Sequence, residues 1–115
     1  MPEPRQASIH SIRPSRPDDV AALVHVVDST GLFPGEMLHD MTASYFSGNA
    51  DQEIWLTLDD GGPAGVVYCA PERMTDRAWN ALMIAVRQDR QGRGFGSALM
   101  TRLETMLIER GERLL

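Results

Sequence analysis

Lysine is absent from this sequence: all eleven basic residues are arginine. That excludes a phosphate-binding loop of the nucleotide-triphosphatase kind, whose Gly-Lys-Ser/Thr needs the ammonium. Cysteine is nearly absent too. Cys69 alone forms neither an intramolecular disulfide nor a cysteine-based zinc site. His10, His25 and His39 are scattered without metal-ligand spacing, so no metal is expected. No apolar run approaches the roughly 18–20 residues that span a bilayer. The first six residues, MPEPRQ, have no apolar stretch behind them that would make a secretory signal. A cytoplasmic protein with no membrane partner is the expectation. Positive charge is in deficit as well: the net charge is −5, which argues against nucleic acid as a partner.

What is present is enough for one small domain, residues 1–115, in which residues 1–7 read as a loose tail. With 43% hydrophobic and 23% charged residues the composition is that of an ordinary globular chain. The charge is uneven. Residues 1–86 hold five arginines against twelve carboxylates, and residues 87–115 six against four. An anion is therefore more welcome in the last third.

Residues 8–13 alternate weakly and predict a short strand. Ser15-Arg16-Pro17-Asp18 predicts a capped helix start with proline in the first turn. Val20, Leu23, Val24 and Val27 carry that helix to Gly31. A second helix is expected from Pro34 to about Ser47, burying Met37, Leu38, Met41 and Tyr45. The period then changes to two. Residues 53–59 place Ile54, Leu56 and Leu58 on one face, Asp60-Gly61-Gly62 signals a hairpin, and residues 63–70 form its second strand. Residues 78–86 are almost continuously apolar, as in a strand covered on both faces. Residues 94–110 predict a helix burying Leu99, Leu103, Met106 and Leu107, stopped by Gly111, and residues 112–115 begin another strand. The order is β-α-α-β-β-β-α-(β), a mixed α/β (α+β) fold.

The chemistry concentrates in residues 86–97, VRQDRQGRGFGS. A buried strand enters this loop and an amphipathic helix leaves it. Gly92, Gly94 and Gly96 remove side chains so that successive backbone N–H groups converge on one anion, and the helix N-terminus adds its unpaired donors. Arg90 and Arg93 add forked charges suited to phosphate oxygens, and Ser97 a hydroxyl. A dinucleotide fingerprint fits poorly, because five residues separate Val86 from Gly92 and antiparallel strands precede it.

Gln91-Gly92-Arg93-Gly94-Phe95-Gly96, with the apolar lead-in 82–86 and the element order around it, resembles the GNAT superfamily of acetyl-CoA-dependent N-acyltransferases. The signature Gln/Arg-x-x-Gly-x-Gly/Ala is matched at every fixed position, and the resemblance runs from Ile9 to Leu115. It implies a largely antiparallel mixed sheet flanked by helices, with acetyl-CoA as co-substrate and no metal. The coenzyme diphosphate is then expected on the amides of Gln91, Gly92, Arg93, Gly94, Phe95, Gly96 and Ser97. The pantetheine arm is expected alongside Ile84, Ala85 and Val86, and the N–H of Ile84 as a one-donor oxyanion hole. The acceptor amine attacks directly, so Cys69 is not needed as a nucleophile.

The same resemblance places a carboxylate base, in some members, at the position held here by Asn80, which accepts no proton but can order a water. Glu72, Asp76 and Tyr68 are the other proton-handling candidates. Glu36 and Asp40 are candidates for facing the acceptor, and Trp79 and Phe33 for core packing or an acceptor pocket. The fold implied continues with the rest of strand five, a fourth helix and two more strands. From sequence, therefore, the chain is expected to stop after the start of strand five. The function expected is acetyl transfer from acetyl-CoA to a small-molecule or peptide amine, with a homodimer allowed. Two alternatives remain: a non-catalytic acyl-CoA-binding or regulatory module of this fold, and a small α/β scaffold whose glycine loop is structural only.

Overall fold

The structure, a computed structural model, describes residues 10–48, 52–74 and 76–115. The loose tail and the first residues of the expected N-terminal strand lie outside them. A five-stranded sheet runs β1 (Ser11–Pro14), β2 (Ile54–Asp59), β3 (Pro63–Pro71), β4 (Ala78–Val86) and β5 (Arg113–Leu114), in that spatial order. Every pairing is antiparallel except β4 with β5. Helices α1 (Val20–Thr30) and α2 (Leu38–Phe46) cover one face, and α3 (Phe95–Glu109) covers the other.

The start of α1 corrects the expected capping pair. Asp19, not Asp18, closes the first turn by accepting from the Arg16 amide at 2.7 Å. Ser15 instead turns inward, its hydroxyl 2.7 Å from that of buried Thr57. Asp19 is chosen because Arg13 already points at it, with Nη1 and Nη2 bonding its two oxygens at 2.7 and 2.9 Å. Gly31 ends α1 at φ +69°, in the left-handed region where glycine carries no steric cost. In α2 the buried residues are Leu38 and Thr42. Met37, Met41 and Tyr45 are only half-buried.

The two inner strands exchange the burial expected of them. β2 is covered on both faces: Ile54, Leu56 and Leu58 pack toward α3, while Trp55 joins Leu23, Val26 and Val27 beneath α1. β4 is not. Beyond Trp79 its outer edge has no strand beside it among the described residues, because β5 pairs only with Ala78 and Trp79. Leu82 is 55% exposed and Ile84 37%. The ladder to β3 also shifts there: Tyr68 pairs with Met83 but Cys69 with Ala81, leaving Leu82 as the extra residue of a bulge. An apolar run in sequence thus became a bent strand with a bare edge.

Candidate functional site

The glycine turn leaves β4 at its bare end. The Arg87 amide donates to Ala64 O at 2.8 Å, the last tie to β3, and the Gln88 amide reaches the Ser29 hydroxyl of α1 at 3.0 Å. After a single 3-10 turn, Gln88–Arg90, the side-chain amide of Gln91 folds back onto Val86 O at 3.0 Å. Gly92 (φ +82°) and Gly94 (φ +81°) then take left-handed conformations, and Gly94 caps α3. A Cβ on either would meet nothing within 4 Å, so backbone conformation, not crowding, demands glycine there. The first helix amide with a partner is that of Ala98, donating to Gly94 O at 3.0 Å. Among the described residues, none of the amides of residues 92–97 has a protein acceptor. Such a run at a helix N-terminus is a site for an anion.

Five of these residues, Gly92, Gly94, Phe95, Gly96 and Ser97, border a cavity of about 370 Å³. Ile84, Ala85 and Val86 form its strand wall, and Arg90, Gln91, Gly92, Gly94, Phe95, Gly96 and Ser97 its loop wall. Sequence reading named all of these, and Arg93 beside Arg90 as a second charge for the anion, but the structure leaves the exposed Arg93 outside the lining. Arg90 lines it instead and is braced from behind, its Nε 3.1 Å from Asp60 Oδ2 and its Nη1 3.2 Å from Asp89 Oδ2. The Arg87 hydrogen bond holds the Asp89 carboxyl below its ordinary value, so this brace stays ionised at neutral pH. A Cβ added to Gly96 would lie 4.0 Å from Val86 Cγ2, in ordinary contact with the strand wall.

The strand parity fixes which groups face this cavity. The Arg87 N–H points to β3, so with a period of two the N–H groups of Ala85 and Met83 do too. Those of Ile84 and Val86 therefore point to the bare edge. That orientation suits the donor role expected of Ile84.

Two of the proton-handling candidates, Asn80 and Glu72, meet on the other side of the β4 bulge. Asn80 donates from Nδ2 to Glu72 Oε2 at 2.9 Å, and Glu72 Oε1 accepts from the Met74 amide at 3.3 Å. Those bonds hold the Glu72 carboxyl below its ordinary value, which weakens it as a base. Tyr68 lies across from Met83 and stacks on Trp55, ring centroids 4.3 Å apart at 17°. Burial, then the Glu53 and Cys69 charges, push its phenol up, so it remains a donor at neutral pH. Cys69 is fully buried, and burial pushes its thiol up to about 12, so it is no nucleophile. Asp76, Glu36 and Asp40 are exposed, and Phe33 packs on the α1 cluster. Trp79 is 2% exposed in the α3 core, with the Arg110 guanidinium 4.9 Å from its ring.

Two charged residues, Glu53 and Arg73, escaped the sequence reading. Glu53, at the entry to β2, lines a second cavity of about 270 Å³ with Gln52, Tyr68, Ala70, Pro71 and Arg73. Nothing in the local pattern marks it. The β2–β3 pairing, which sets Trp55 opposite Tyr68, brings Glu53 to the same cavity as Tyr68.

Among the described residues no three His, Cys, Asp or Glu side chains come together as a metal ligand set, and no helix is long and apolar enough to cross a membrane. No curated protein matches the sequence. Solved structures do. An acetyltransferase of the GNAT family from Desulfovibrio desulfuricans superposes with a TM-score of 0.80 at 25% identity, covering 91% of this chain and 70% of that one. A GNAT family acetyltransferase from Brucella melitensis, solved with acetyl-CoA, gives 0.71 at 20% identity, covering 92% and 75%. An N-acetyltransferase from Staphylococcus aureus gives 0.75 at 18%, covering 93% and 72%. At those two lower identities the likeness is one of fold alone. The family model for the acetyltransferase (GNAT) domain matches residues 50–115, which hold β2 to β5 and the whole glycine turn. With that match over more than half its length, the chain belongs to the GNAT acetyltransferase family.

Proposed function

We propose that the protein is an N-acetyltransferase that takes its acetyl group from acetyl-CoA and passes it to a primary amine in a ternary complex. The observation that carries this reading is a coincidence of donors: Gly92, Gly94, Phe95, Gly96 and Ser97, whose amides have no protein acceptor among the described residues, and Ile84, whose N–H points outward, border one cavity. The residues fit the coenzyme, because the left-handed Gly92 and Gly94 leave their surroundings open within 4 Å. Residues 91–97 would hold its diphosphate, with Arg90 supplying full charge. The bare edge at Ile84–Val86 would receive the pantetheine amides as an added strand does. Acetyl-CoA supplies an activated thioester.

In the transfer the amine nitrogen bonds to the acetyl carbon, the carbon–sulfur bond breaks, and coenzyme A leaves as the thiol. The Ile84 N–H donates to the carbonyl oxygen as charge develops there. The ammonium of the acceptor must first lose a proton. Glu72, kept ionised by Asn80, serves to hold a water or the ammonium better than to act as a strong base. That same weakness favours a second reading, an acyl-CoA-binding module without turnover.

Calorimetric titration with acetyl-CoA and with desulfo-CoA tests the first half. Both should bind, and Gly94→Trp should abolish both while the far-ultraviolet spectrum stays that of the parent. Release of free thiol from acetyl-CoA in the presence of a panel of amines separates the enzyme from the module. Binding without any release would favour the module.

A further inference from the structure

The second cavity lies on the α1/α2 face of the sheet, lined by side chains whose role is not accounted for by coenzyme binding. Two of them are charged, with opposite sign. Glu53 and Arg73 form no ion pair with each other, and the Arg73 guanidinium bonds to no described residue. Glu53 Oε1 accepts from Trp55 Nε1 at 3.2 Å, which anchors the carboxylate and leaves Oε2 without a described donor. Tyr68 lines the cavity with both charges, its ring fixed by the stack on Trp55. After burial, the Glu53 charge is the next cause of the raised Tyr45 and Tyr68 phenols.

A carboxylate beside aromatic rings suits an ammonium, and a free guanidinium suits a carboxylate. The volume of about 270 Å³ is the room of about nine waters at ~30 Å³ each, enough for one small organic molecule. Its position also fits. Tyr68 is the register partner of Met83, the residue before Ile84, and Ala70 is the partner of Asn80. An amine held beside Tyr68 would lie toward Met83 and Ile84 along the β3–β4 ladder, with its anion turned toward Arg73.

We infer that this cavity is the acceptor site and that it selects a zwitterion, an amine carrying a free carboxylate close by, as a free amino acid does. The inference rests on the acetyltransferase reading above, and its test is built to fail separately from it.

The probes are L-alanine, L-alaninamide and isopropylamine, titrated into the full chain with and without saturating desulfo-CoA. The reporter is the indole N–H resonance of Trp55, which bonds Glu53, with Trp79 in the opposite core as the internal control. Alanine should shift Trp55 and bind at least tenfold more tightly than either other probe. Arg73→Gln should erase that preference, and Glu53→Gln should weaken alanine and alaninamide alike. Equal binding of alanine and alaninamide, a preference that survives Arg73→Gln, or no shift of Trp55 with any probe would each overturn the inference. If desulfo-CoA fails to bind while alanine behaves as stated, the coenzyme reading falls and the zwitterion site stands.

Discussion

Gln91 bonds the carbonyl of Val86 at 3.0 Å through its side-chain amide, so the first residue of the glycine turn is tied to the last residue of β4. Both residues line the cavity, so this bond sets how the turn stands over the strand edge. Gln91→Ala should therefore lower desulfo-CoA affinity about tenfold. Its cost in stability should be about 1 kcal/mol, the usual net worth of one exposed hydrogen bond. Calorimetry and urea unfolding on the same preparation would check both.

Arg90 and Arg93 look equivalent in sequence and are not so in space. Arg90→Gln should cost more coenzyme affinity than Arg93→Gln, and it should reduce the salt dependence of binding more. Titrations at two ionic strengths would show it. Equal losses would mean that Arg93 swings into the site when the ligand arrives.

Asp19 sets an acid limit on stability. Burial pushes its carboxyl up, but the Arg13 bonds, the Arg16 amide and the Arg13 charge more than offset that and leave it below the ordinary aspartate value. A carboxyl lowered on folding contributes stability that is fully present above about pH 4, its unfolded value, and lost as pH falls through the folded value. Asp19→Asn should cost roughly 2–3 kcal/mol at pH 7, because it removes charged bonds from a buried carboxylate. The gap between variant and parent should narrow below pH 4. Urea unfolding at pH 7, 4 and 3 would follow it.

Cys69 should resist a disulfide reagent at pH 8. With the thiol pushed up to about 12, roughly one molecule in ten thousand carries a thiolate there, and the sulfur is buried. The labelling rate should rise only with denaturant, in step with unfolding. Fast labelling of the folded chain would show that the sheet opens locally around β3.

Gly35→Ala should be the costliest single methyl in the fold. Its Cβ would overlap the carbonyl oxygen of Val24 and lie 2.8 Å from Asp28 Oδ1, the group that accepts from the Gly35 amide at 2.6 Å. A loss of about 2–3 kcal/mol is expected, since backbone cannot retreat as a side chain can. Thermal unfolding would measure it.

Much of this molecule is legible in its residues. The hairpin turn at Gly61, the stops at Gly31 and Gly111 and the run of β4 follow from local chemistry that any fold must respect. So does the glycine turn, because anion capture by backbone needs both the missing side chains and the helix behind them. Strand coverage was not legible. Trp55 and Thr57 sit deep in the sheet because β1 and β3 flank β2, while Leu82 and Ile84 look inward by composition and are left on an edge by β5 pairing only at Ala78 and Trp79. Composition reports what a side chain prefers, and neighbours decide what it receives. Glu53 and Arg73 were illegible for a related reason. They lie far apart in the chain, and a charged residue beside a strand end ordinarily belongs to solvent.

Asp60 belongs to the tip of the β2–β3 hairpin, yet its carboxylate holds the cation of the anion site. The tip and the ligand are therefore thermodynamic partners. Whatever quiets the hairpin sharpens the grip on phosphate, and by reciprocity a bound phosphate must quiet the hairpin. The Gly62 amide, bonded to Asp59 at 2.9 Å within that turn, would report the exchange as slower hydrogen–deuterium replacement once the coenzyme is in place.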